Sequence, residues 1–296
     1  MAHDFVQLVD DLAYAKTFYP SSRVTRLINS LASRIYLRIY QNRKEESSRL
    51  ARFWRYDVPL TIARHYKILL FSLFLFVLFY LLGFLSAMYD PGFTREILGN
   101  SYVDLTEKHI REGNPFGIYQ YGNAILAWFY IMMNNVMVSL LYFVGGLVAG
   151  IYSLKGLVQT AMMVGVFNYM FAAKGLGADF FLAVMLHGLL ELTSIVVACG
   201  AGMVMGTSYF FPGTIGRLQA FKNGVKDGVK IVIGVVPVFA LAAFFEGCIT
   251  GFYKMPLVLN IILLLFSASL IAWYFVIYPY RLTRRFREET VPTPHA

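Results

Sequence analysis

His187 and Glu191 stand four residues apart within the apolar run 180–205, a spacing that puts both side chains on one face of a helix. Four more polar groups interrupt neighbouring apolar runs: Asn134 and Asn135 in 124–152, Asn168 in 157–173, and Glu246 in 231–250. One imidazole and two carboxylates, with neutral amides beside them, can bind a cation or relay a proton. The same groups also serve as interhelical glue, with Glu191 protonated or paired with His187 and the asparagines bonding across helices. Catalysis is the weakest of the three readings. The chain has no G-x-S-x-G, H-E-x-x-H or Walker-type run, so no catalytic residue, no resident metal and no cofactor is expected. Gly200, Gly202 and Gly206 resemble a nucleotide fingerprint only in spacing. They follow no strand and, with Gly146 and Gly150, read as small-residue surfaces for close helix packing.

The elements that position these residues follow from composition. Of 296 residues 58 % are hydrophobic and only 15 % charged, whereas soluble chains carry roughly 25 % charged residues. Six segments are apolar enough to cross a bilayer, which takes ~20 residues: 68–88, 124–152, 157–173, 180–205, 231–250 and 256–279, the third being shorter and carrying Asn168. The fold class expected is therefore an all-α integral membrane protein of about six transmembrane helices. If the spans alternate, 21 of the 26 Lys and Arg residues fall on one side, which by the positive-inside rule puts both termini in the cytoplasm. The first span reads as an uncleaved anchor of a multi-pass inner-membrane protein. Counting ~1.5 Å per residue from the outer end of each span places all six polar residues between the outer half and the middle of the membrane. Cys199 and Cys248 fall near opposite faces, too far apart for a bridge.

Outside the bilayer, residues 1–67 read as basic, amphipathic cytoplasmic helices. After Pro20, Ser21 or Ser22 can cap a helix with Val24, Leu27, Ile28, Leu31, Ile35 and Ile39 on its apolar stripe, and Arg23, Arg26, Arg34 and Arg38 off it. Arg49, Arg52, Trp54, Arg55, Arg64 and Lys67 precede the first span and suit an anionic inner leaflet. A hairpin packed on itself or on a second copy is the other reading. The net charge of +9 brackets a membrane anchor and no reading module is present, so nucleic acid is not expected as a partner. Residues 89–123 form one long extracytoplasmic loop, with a helix expected over 93–112, that either docks an outer partner or caps the bundle. The tail 281–296 is basic and cytoplasmic.

Several of these features together resemble the stage II sporulation protein M family, in a branch found in non-sporulating Bacteroidetes-like bacteria. They are the run from Asp10 and Asp11 through Tyr14 to Pro20, Asn134-Asn135, His187-Gly188-Leu189-Leu190-Glu191, the glycines through Gly206, Phe211-Pro212-Gly213-Thr214 with Arg217 to Phe221, and Phe245-Glu246-Gly247. The resemblance covers nearly the whole chain. It implies an integral inner-membrane member of an engulfment complex that works beside two peptidoglycan-degrading partners and is not itself an enzyme. Two positions depart from the pattern: Lys155-Gly156 stands where the family commonly has Asn-Gly, and Cys248 follows Glu246-Gly247 in place of a bulkier apolar residue. The function expected is a scaffold or assembly partner in envelope remodelling, with protein partners in the envelope and a homodimer through the small-residue faces. The alternative is a small proton- or cation-coupled transporter or channel built on the polar residues.

Overall fold

Helical periodicity and long apolar runs dictate an all-α chain, and the computed structural model is 89 % helical. It describes residues 2–41, 49–117, 122–250 and 256–290. Parts of the expected N-terminal region, outer loop and tail, and the side chains of Arg34, Arg38 and Ile39, lie outside the described residues. The chain divides into two compact units, Met1–Phe53 and Trp54–Ala296.

The first unit is a helical hairpin of α1 (Ala2–Phe18) and α2 (Arg23–Gln41), followed by the short α3 (Arg49–Arg52). Ser22 is the capping residue: its Oγ accepts from the Thr25 amide at 3.1 Å. Thr25 Oγ1 donates back to the Tyr19 carbonyl at 2.6 Å, which fixes the turn. Ala15, Thr25 and Ala32 fill the seam between the helices. Val24, Leu27 and Leu31 stay exposed, so half of the predicted apolar stripe is turned away from the hairpin's own seam.

The second unit begins at α4 (Val58–Arg64) and continues through α5 (Tyr66–Tyr89), α6 (Pro91–Leu98), α7 (Asn100–Arg111), α8 (Ala124–Val144) and α9 (Ile151–Ala172). After these come α10 (Gly177–Phe210), α11 (Arg217–Phe245), α12 (Leu257–Ile271) and α13 (Tyr278–Thr290). Among the described residues five helical segments are long and apolar enough to cross a membrane: Tyr66–Tyr89, Ala124–Leu147, Gly177–Phe210, Arg217–Ile249 and Leu257–Glu288. With this apolar architecture, free of strands among the described residues, the protein is an all-α membrane protein. The predicted third span is formed as α9, a 22-residue helix, but Lys155, Gln159 and Asn168 keep it below the hydropathy of the other five.

Helix α10 is the axis, touching α5, α8, α9, α11 and α12. Its small residues permit that crowding. A Cβ on Gly146 would run into the backbone of Gly202 on α10, and one on Gly206 of α10 into the Gly150 amide nitrogen. The glycine surfaces therefore face one another inside the chain, and a second copy would need a different face. Buried Ser72 donates from α5 to the Val196 carbonyl of α10 at 2.8 Å, satisfying a hydroxyl that has no water to turn to.

The stretch before α5 belongs to this unit. Tyr274 and Tyr278 donate to the carbonyls of Trp54 and Arg55 at 3.0 and 2.8 Å, and α4 packs on α13. Beyond the other end of α5, one helix was expected over 93–112, but Gly99 at φ +82° divides it into α6 and α7.

Candidate functional site

Helix α10 carries His187 and Glu191 on the face turned toward α8 and α11, as their four-residue spacing requires. His187 is buried, at 4 % exposure. The third group comes from the end of α11, where the helix widens into a π-helical turn, Glu246–Thr250. Such turns displace side chains from the regular helical track and recur at functional sites. Gly247 lets this turn lie against α8, since a Cβ there would sit 3.0 Å from the Trp128 amide nitrogen. The Trp128 indole then donates to the Ala240 carbonyl at 2.9 Å and fastens α8 to α11. One ligating atom from each of His187, Glu191 and Glu246 lies within 4.8 Å of the others.

Asn135 completes the group from α8. It is 5 % exposed and turns its side-chain amide toward the Glu191 carboxyl. Its buried amide nitrogen closes no hydrogen bond of good geometry. As whole residues the two glutamates are half-buried.

The other two predicted members lie elsewhere. Asn134 is exposed on the outside of α8. Asn168 donates to the Tyr80 hydroxyl and ties α9 to α5. The polar residues of the apolar runs are thus divided between a four-residue cluster, an interhelical bond and an outward amide.

Helices α6 and α7 lie over this end of the bundle. Phe116 stacks on Phe171 with ring centroids 5.3 Å apart, over a core that includes Phe167 and Phe180. Arg95 binds Asp104 at 2.7 Å, and Glu107 receives Lys174 at 3.7 Å, joining α7 to the α9–α10 turn. Tyr102 packs on Phe167 at 5.6 Å. Burial, and then the Glu246 carboxylate, push its phenol up to about 12, so it remains neutral at physiological pH.

The model of the family described as stage II sporulation protein M matches residues 72–251, more than half of the chain. The chain belongs to the stage II sporulation protein M family. That match runs from α5 to the end of the π turn and includes all four residues of the polar cluster. A second family, described as a domain of unknown function (DUF8413), matches residues 1–41. The run from Asp10 to Pro20, one of the features that carried the resemblance, falls in this second match. No curated protein and no solved structure matches the chain.

A second polar centre of this stage II sporulation protein M family member escaped the sequence reading. Asp227 of α11 binds Arg64 at 3.1 Å and His65 at 2.9 Å through one oxygen, and Lys230 at 3.8 Å through the other. Arg64, one of the basic residues expected beside the inner leaflet, binds Asp227 while remaining largely exposed. Arg49, Arg52, Arg55 and Lys67 are exposed and Trp54 is half-buried, with Arg55 held over the Tyr56 ring at 5.5 Å. The available signal was a single acid in an otherwise basic stretch, three residues before Lys230. An apolar groove of about 490 Å³ lies elsewhere, lined by Leu147, Val148, Tyr209, Phe210, Leu218 and Phe221, and includes none of the cluster.

Proposed function

We propose that the protein is a six-span inner-membrane scaffold with cytoplasmic termini, a non-enzymatic assembly partner in envelope remodelling. Family membership supports a membrane role, and the count of 21 against 5 basic residues on alternate sides supports the orientation. The observation that carries the scaffold reading is backbone-to-backbone packing across the bundle, at Gly83 on Met162, Gly146 on Gly202 and Gly165 on Tyr80. Transporters that alternate access rock one group of helices against another. Interlocked backbones resist such rocking and favour a fixed platform. On it, the extracytoplasmic rim of α6 and α7 faces envelope partners. The exposed apolar stripe of α2, flanked by Arg23 and Arg26, meets anionic lipid or a second copy.

Photo-crosslinking from Glu96 and Arg111, on that rim, tests the scaffold in native membranes. Discrete protein adducts are expected from both sites, and adducts to lipid alone would count against the reading.

A second reading, proton- or cation-coupled transport, is favoured by the convergence of His187, Glu191 and Glu246. Vesicles carrying an internal pH dye separate the two. The platform predicts no flux, whereas flux abolished by Glu191→Gln in a folded protein would replace it with transport.

A further inference from the structure

We propose that His187, Glu191 and Glu246 form a binding site for one divalent first-row transition-metal ion, held between α10 and the end of α11. The proposal goes beyond both functional readings, because a resident ion would clamp these helices without any transport. Reach is the first argument. The three ligating atoms lie within 4.8 Å of one another. Zinc bonds of about 2.0–2.2 Å set tetrahedral donors roughly 3.4 Å apart, so small side-chain rotations close the site.

Charge is the second. Two carboxylates and a neutral imidazole sum to −2, which a divalent ion cancels, and a low-dielectric bundle disfavours any net charge left over. Donor chemistry is the third. An imidazole with two carboxylates suits zinc, manganese or ferrous ions, whereas calcium and magnesium seek oxygen alone.

Asn135 is the independent observation. It is 5 % exposed, and its amide is turned on Glu191 with the nitrogen lacking a well-formed hydrogen bond. A side chain placed there orients a ligating carboxylate, so Asn135 is a positioning residue. The π turn supplies the local geometry, since it carries Glu246 into the space between α8 and α10.

The test uses the full chain, purified in detergent, stripped with chelator and reloaded with Zn²⁺ alone. Elemental analysis should return one zinc per chain. In competition with a fluorescent zinc chelator, Glu191→Gln and Glu246→Gln should each weaken binding by about 100-fold. Asn168→Gln, at a polar residue bonded to Tyr80 instead, should leave affinity unchanged. Substoichiometric zinc, or equal affinity in the Glu191→Gln/Glu246→Gln double variant, overturns the proposal. Should those variants fail to fold, X-ray absorption on the zinc-loaded native chain decides. One nitrogen among oxygen donors supports the site, and a shell containing sulfur, from Cys199 or Cys248, overturns it.

Discussion

Asp227 is the acid on which Arg64, His65 and Lys230 converge from two parts of the chain, and its 11 % side-chain exposure leaves little water to replace them. Asp227→Asn keeps the shape and removes the charge. Arg64 is largely exposed, so solvent screens its share, and the loss is expected to be about 1–2 kcal/mol in all. Thermal unfolding in detergent should show the drop, and an unchanged midpoint would mean the ion pairs contribute nothing. The candidate site was partly legible at this scale. Ionisable groups in apolar runs stand out, and the four-residue spacing of His187 and Glu191 assigns them one face. Which of Asn134 and Asn135 turns inward was not legible, because adjacent residues differ by about 100° around a helix and only the neighbours decide. Asn168 shows the same limit, since its partner Tyr80 lies on a helix far away in sequence.

The helices meet where side chains are missing. A side chain at Gly165 would drive into the Tyr80 carbonyl and the Phe84 amide. Gly165→Val should therefore destabilise the bundle by about 1–3 kcal/mol, the range for overpacking. Gly188, beside His187, has no atom nearer than 3.8 Å to an added Cβ. Gly188→Ala should be neutral or gain up to ~1 kcal/mol from helix propensity. Unfolding of both variants in denaturing detergent checks the contrast, and equal destabilisation would refute it. Apolar run length made the existence of each bundle helix legible. The division between α6 and α7 was not, because it rests on a positive φ at Gly99 inside an amphipathic stretch that reads as continuous. Nor was the role of the glycine pairs, whose spacing serves contacts within a chain and between chains equally well.

At the scale of the molecule, the boundary between the two compact units falls at Phe53, within the basic segment that composition had grouped as 1–67. The family matches respect that division, with 1–41 in one unit and 72–251 in the other. The six-span orientation makes its own prediction. Single cysteines at Lys155 and Arg284, in a chain carrying Cys199→Ser and Cys248→Ser, should react with an impermeant maleimide only after the membrane is opened. A cysteine at Lys108 should react in intact spheroplasts, and the reverse pattern would invert the topology. The contact of α4 with α13, with Tyr56 edge-on to Phe286 at 6.5 Å, has a consequence for biogenesis. Val58, buried against Gly234 of α11, and the buried Ile62 belong to a helix that leaves the ribosome more than one hundred and fifty residues ahead of α11 and more than two hundred ahead of α13. The flank of the first apolar helix therefore stays uncovered until α11 and then α13 have emerged, so α4 finds its place only after the helices between them have been made.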